Sequence, residues 1–254
     1  MKIAEMTKGE LAERLILSVL NTNDVEERIL NFPSIEKGSF SLVVQLFLGE
    51  KNYDNRYTSC INVTNDILNG WNNSIHLSKD ELFSMAIENS RKQFPVLVEP
   101  INQFIDEEHQ SGSLFEADGV NIPRCFVLSN EYFYNGAAAM FYEPEILSKI
   151  AKKLDTNELY LLPSSTNHIF CVPHSNILSR EEVEDIFNSL DVVDSEMGIS
   201  EQAALGEKLS ENIITYDASK NMLIEKSGVS YFPAINAMSG NSYVDDSTRN
   251  PVHR

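Results

Sequence analysis

Between Pro163 and His174 the chain collects side chains that could do chemistry: Ser164, Ser165, Asn167, His168 and His174. Hydroxyls and imidazoles around a tight turn can hold a carboxylate or phosphate, or set a serine beside a histidine base. Such a serine attacks only when the histidine takes its proton, and the histidine needs an acid to orient it. No acid is assignable to that third place, and no Gly-x-Ser-x-Gly elbow is present. Pro163-Ser-Ser-Thr-Asn167 is also rich in residues whose short side chains bond their own backbone in turns. The expectation is no catalytic residue, with Ser164, Ser165, His168 and His174 as the weak candidates.

Metal chemistry has less support. The five histidines (His76, His109, His168, His174, His253) lack His-x-x-x-His spacing, and Cys60, Cys125 and Cys171 lack Cys-x-x-Cys spacing. His168 and Cys171, three apart on a strand, fall on opposite faces. Glycine-rich phosphate-binding motifs are missing too. No metal and no cofactor are expected. The three thiols sit in apolar surroundings and are expected to be buried and free.

Charge is the stronger signal. Lys and Arg total 20 against 38 Asp and Glu, for a formal charge of −18. Such a surface repels a phosphate backbone at long range, so direct nucleic-acid binding is not expected. Ser179 to Asn212 holds ten acidic and two basic residues, a net of −8 by that count. Glu181, Glu184, Asp185 and Asp191 are its candidate binding residues. Carboxylates spaced along helices bind basic protein surfaces and can imitate DNA phosphates, which would occupy the groove of a basic defence or DNA-binding enzyme. The same charges also serve simply as a solvated face that keeps an acidic protein soluble.

No membrane contact is expected, because Ser41–Leu48 and Val120–Leu128 fall far short of the ~20 apolar residues a spanning helix needs. The opening MKIAEMTKGELAERL has no apolar core of a signal peptide, so a cytoplasmic location is expected.

These residues need elements to position them. Leu11, Leu15, Ile16, Val19 and Leu20 recur at helical spacing behind a Thr7–Glu10 capping box, which predicts an opening helix. Asn23 or Asp24 heads a second short one. Phe40–Leu48 predicts a buried strand, Gly49–Asn55 a turn and Arg56–Val63 a returning strand. Thr64 or Asn65 caps a helix ending near Gly70-Trp71, and Trp71 is expected in the core. Ser78–Glu81 caps a helix burying Leu82, Met85 and Ala86, with Phe83 a further candidate, and ending before Pro95, with Asn89 bonded inside it. Asp106–Gly119 reads as a loop. Arg124–Ser129 and Gly136–Tyr142 are predicted as antiparallel strands joined at Asn135-Gly136. Pro144 opens a helix through Leu154. Glu158–Leu162 and His168–Val172 form a hairpin, Ser179–Glu182 caps another helix, and Asn212–Tyr216 with Met222–Lys226 closes the set.

Several of these segments, in order, resemble a known family: Val63-Thr-Asn-Asp-Ile-Leu-Asn-Gly-Trp71, Asp80–Ser90 with Phe94-Pro95, Asn135-Gly-Ala-Ala-Ala-Met-Phe-Tyr142, Glu158–Ser165 and Val172-Pro173. Together with Glu211–Asp217 they look like DUF5688, an uncharacterised bacterial family, and more distantly like DUF1444. The resemblance covers roughly residues 24–226. It departs where the family has His-Glu after the Pro-Ser-Ser turn and this chain has Asn167-His168. It implies an α+β fold and no particular activity.

The expected architecture is α+β: antiparallel hairpins packed against helices in a mixed sheet. Residues 1–234 form one domain or two close lobes with a boundary in 106–119, and residues 235–254 form a flexible tail. The expected function is a cytosolic, non-enzymatic interaction protein that binds another protein, one with a basic surface, through its acidic exterior. The alternatives are a hydrolase or small-ligand enzyme at the 163–174 hairpin, and an acidic nucleic-acid mimic.

Overall fold

In the computed structural model the described residues are 3–22, 31–48, 60–100, 125–132, 134–174, 179, 181–185, 209–210 and 212–233. The expected helix after Asn23, the turn at 49–55, the loop at 106–119, Asp191 and the tail at 235–254 lie outside them.

A short helix α1 (Lys8–Ala12) starts at the expected capping box, with Thr7 accepting from the Glu10 amide and Glu10 from the Thr7 amide. It stops before Leu15. Strand β1 (Leu15–Asn21) replaces the helix expected through Leu20. Five consecutive residues from Leu15 to Val19 are buried, so both faces of this strand are covered. A strand apolar on both faces has no alternation, and its run is indistinguishable from a buried helix by periodicity.

Strands β2 (Ser34–Lys37), β3 (Phe40–Phe47) and β4 (Cys60–Asn62) complete the first sheet. β3 pairs β1 along its whole length; on its other side β2 takes residues 40–43 and β4 takes 45–47. Helix α2 (Asn65–Ile75) is capped by Thr64 as expected. It runs through the exposed Gly70 and ends only where His76 turns left-handed at φ 54°. Trp71 on it is fully buried, its indole N–H donating to the Ile3 carbonyl at 2.9 Å.

Helix α3 (Lys79–Gln93) has the Ser78–Glu81 capping box, buries Leu82, Phe83, Ala86 and Ile87, and stops at Phe94 before Pro95. Its buried polar residues serve the edge of β1. Ser90 Oγ accepts from the Leu17 amide at 2.9 Å, and Asn89 Nδ2 donates to the Leu15 carbonyl at 2.8 Å. A strand edge pressed against a helix would otherwise bury unsatisfied backbone groups, each worth about 1–3 kcal/mol.

The second sheet contains β5 (Val96–Pro100), β6 (Phe126–Asn130), β7 (Glu158–Leu162), β8 (Ile169–Pro173), β9 (Ile214–Asp217), β10 (Met222–Ile224) and β11 (Ser230–Tyr231). Its order is β11-β10-β9-β7-β8-β6-β5. Every pairing among the described strands is antiparallel, so the sheets are not mixed. The α+β class holds: helices stand beside two antiparallel sheets rather than in β-α-β crossovers.

Gly136–Tyr142 is not a strand. Gly136–Ala138 forms a 3-10 turn that runs into helix α4 (Ala139–Tyr142). Ala-Ala-Ala-Met favours helix, and Asn135 takes the left-handed conformation (φ 50°) to start it rather than to close a hairpin. Helix α5 (Ile146–Lys153) comes next and buries Leu147, Ile150 and Ala151. One apolar cluster draws on both sheets, from Leu15, Val19 and Phe40 to Leu159, Tyr216 and Tyr231, with Trp71 and Phe141 in it. Glu225 ties the sheets at one end, accepting from the Ser39 amide and the Tyr231 hydroxyl.

Candidate functional site

Ser164, Ser165 and His168 come together in the turn between β7 and β8. Ser165 Oγ lies 3.1 Å from His168 Nδ1, in a buried setting. It also accepts from two backbone amides, Asn167 at 3.1 Å and His168 at 3.2 Å. A hydroxyl oxygen has two lone pairs. With both engaged, the Ser165 proton is what bonds Nδ1, which puts the imidazole proton on Nε2. The pair therefore has a dyad's contact and a turn's wiring: the oxygen that would attack is committed to its own loop.

Burial pushes the His168 imidazole down to about 4, so it stands neutral near pH 7, and its ring packs edge-on against Phe170 at 5.0 Å. Ser164 Oγ is buried with no hydrogen-bond partner among the described residues. Leu209 and Ser210, both buried, lie over the turn, and the Leu209 amide reaches the Pro163 carbonyl at 3.3 Å.

His174 does not join them. It lies beyond the far end of β8, ~20 Å along the strand at about 3.3 Å per residue. There its ring faces the Glu158 carboxylate at 3.6 Å and the Tyr160 ring at 5.2 Å. The hairpin thus divides the four candidates into a buried turn and a half-exposed end.

Of the acidic candidates, Glu181, Glu184 and Asp185 lie in a helical segment, residues 181–185, with the expected cap: Ser179 Oγ accepts from the Glu182 amide and Glu182 from the Ser179 amide. Glu181, Glu182 and Asp185 are exposed, Val183 is buried, and Glu184 is half-buried, 3.4 Å from Lys226 Nζ. Among the described residues no three His, Cys, Asp or Glu side chains are grouped to hold a metal ion. Burial raises the Cys60 thiol to about 11 and the Cys125 thiol to about 12, which keeps both protonated and unreactive near neutral pH; Cys60 is only half-buried, unlike the other two.

A second polar constellation was not legible as a site. Asn135 links both sheets. Its Oδ1 accepts from Ser18 on β1 at 3.0 Å, its Nδ2 donates to Gln45 on β3 at 2.8 Å, and its amide donates to Asn167 Oδ1 at 3.2 Å. Gln45 Oε1 also accepts from Tyr134, and Gln45 Nε2 donates to Asn62. Beside this network Leu17, Ser90, Phe94, Asn130, Asn135 and Tyr142, among others, line a tight crevice with no room inside for a water molecule. The available signal was Ser18 and Gln45 interrupting apolar strand runs, since a polar residue inside a buried strand must find a partner.

Comparison with curated proteins and with solved structures finds no match. Among the described residues no helix is long and apolar enough to cross a membrane. The family that matches is described as a family of unknown function, DUF5688, and it covers residues 2–218 of the chain. By that coverage the chain belongs to the DUF5688 family.

Proposed function

We propose that this protein acts without catalysis, by presenting an acidic surface to a protein partner whose own surface is basic. The observation that carries this reading is the capped segment at 181–185, which sets Glu181, Glu182 and Asp185 in solvent around one buried anchor, Val183. It belongs to a chain of net charge −18, whose field steers a cationic partner and keeps phosphate backbones away. A basic nucleic-acid-binding enzyme, met by carboxylates in place of phosphates, is one member of that partner class.

The test compares two variants with equal loss of charge. One carries Glu181→Gln, Glu184→Gln, Asp185→Asn and Asp191→Asn; the other carries Glu13→Gln, Asp66→Asn, Glu131→Gln and Asp155→Asn. In capture from cell extract with salt elution, the first set is expected to lose the partner and the second to keep it. Equal loss from both would reduce the effect to bulk charge, and no loss from the first would remove the acidic segment from the function.

A hydrolytic or small-ligand role at the 163–174 hairpin has one observation in its favour, the 3.1 Å contact between Ser165 and His168. Against it stand the two amides already on the Ser165 oxygen and the separation of His174. Turnover in an esterase, phosphatase and peptidase screen that disappears in Ser165→Ala would put this reading first. No turnover, or turnover that survives the change, would dispose of it.

A further inference from the structure

The chain has two Asn-Gly pairs, at 69–70 and 135–136. In an unfolded chain this dipeptide is chemically labile. The glycine amide nitrogen, unshielded by a Cβ, attacks the asparagine Cγ; a new N–C bond closes a succinimide, the Cγ–Nδ2 bond breaks, and the glycine amide proton passes to the leaving nitrogen, releasing ammonia. Water then opens the ring to aspartate or isoaspartate. We infer that Asn135 is a latent modification site of this kind, locked by the fold and opened only by unfolding, and that its modification bars the chain from refolding.

The lock is visible atom by atom. Ring closure requires the Asn135 side chain to swing toward the Gly136 nitrogen. Both ends of that side chain are held, Oδ1 by Ser18 and Nδ2 by Gln45, and the residue is 8% exposed. Gly136 cannot move to meet it, because a Cβ there would sit 2.2 Å from the Asn167 carbonyl and 2.3 Å from Ser129 Oγ. The adjoining turn is pinned by the Ala137 amide on Thr166 and the Ala138 amide on Asn135.

The bar to refolding arises from the product. An aspartate replaces the Nδ2 donor with a charged oxygen that faces Gln45 Oε1, so two acceptors meet in a buried site. Gln45 cannot answer by turning over its amide, because Nε2 is committed to Asn62 and Oε1 to Tyr134. A buried charge without a partner is strongly disfavoured. Isoaspartate is no better, since it adds a methylene to the backbone beside a glycine already in closest contact. Molecules that linger unfolded would therefore lose their way back, which makes denaturation progressively irreversible.

The experiment incubates the full chain in mildly alkaline buffer, folded in one arm and in urea in the other, and maps the one-dalton gain at each pair by peptide mass spectrometry. In urea both pairs should gain mass at similar rates, with Asn69 reporting the intrinsic rate. In the folded arm Asn135 should be slower by roughly a hundredfold or more, because reaction waits on opening of a buried, bonded element. After dilution from urea, peptides carrying the gain at 135 should be confined to the misfolded, protease-sensitive fraction, and the fraction that refolds should fall as the gain accumulates. Asn135→Asp, made directly, should refold poorly or not at all. Gain at 135 in the folded protein at the urea rate would overturn the lock. Gain at 135 equally present in the refolded fraction, or a normally stable Asn135→Asp, would overturn the bar.

Discussion

Replacing Gly136 with alanine is expected to cost about 3–5 kcal/mol and to leave little folded protein at moderate urea. The added methyl would lie 2.2 Å from the Asn167 carbonyl, 2.3 Å from Ser129 Oγ and 2.9 Å from Ser129 Cα. Two of those three atoms are backbone, so no side-chain rotation relieves the clash. Relief means separating the α4 entry from β6 and from the β7–β8 turn, which breaks the 2.7 Å bond from Ser129 Oγ to the Asn167 carbonyl and the Ala137–Thr166 bond. Gly70→Ala is the internal contrast. Nothing lies within 4 Å of a Cβ there, and the position is an exposed helix interior, so a gain of about 0.5–1 kcal/mol is expected. Urea melts of the two variants check both signs. A Gly136→Ala protein within about 1 kcal/mol of the parent would mean that the contact between turn and helix is not tight.

His168 should make the fold acid-sensitive well before the carboxylates do. Burial lowers its folded value to about 4 from an ordinary 6.5, so between those values the unfolded chain binds a proton that the folded one refuses. Its contribution is full above about pH 6.5 and is lost as the pH falls toward 4, on the order of 3 kcal/mol across that window. Asp217 and Glu81 act in a lower window. Each is held at about 2, Asp217 first by its bond to Lys220 and Glu81 first by its bond to Lys8, so their contributions are lost only as the pH falls from about 4 to 2. Protonated His168 would also present an N–H to a Ser165 oxygen that already accepts two amides. Denaturant midpoints between pH 7 and 4 should slope steeply in the parent and much less in His168→Gln, which keeps an acceptor for the Ser165 hydroxyl without titrating. Identical slopes would mean that His168 titrates normally.

Local punctuation was legible and burial on two faces was not. The capping boxes at Thr7, Ser78 and Ser179 each start a helix, because a hydroxyl and a glutamate three residues apart satisfy amides whatever lies beyond them. Phe40–Phe47, the β7–β8 hairpin and the β9–β10 hairpin also stand where expected. Leu15–Asn21 reads as helix because Leu15 to Val19 are buried on both faces of the strand, which removes the alternation that marks a strand. At Asn135 a turn of the backbone was legible, but the element it opens was not: the choice between hairpin and helix lies in Ala137–Met140 and in the gap that only Gly136 fits. The 163–174 cluster was visible as composition. That His174 lies a strand away follows from the strand expected at 168–172, but that Ser165 turns its oxygen to its own loop depends on local bonding and could not be read from spacing.

The most direct test of the proposed role is the affinity for the captured partner as a function of salt. The parent protein should lose roughly tenfold or more between low and high ionic strength, as screening shortens the reach of its carboxylates. The variant neutral at 181, 184, 185 and 191 should bind weakly at every salt concentration with a shallow slope. A variant that matches the parent in both affinity and slope would contradict the account.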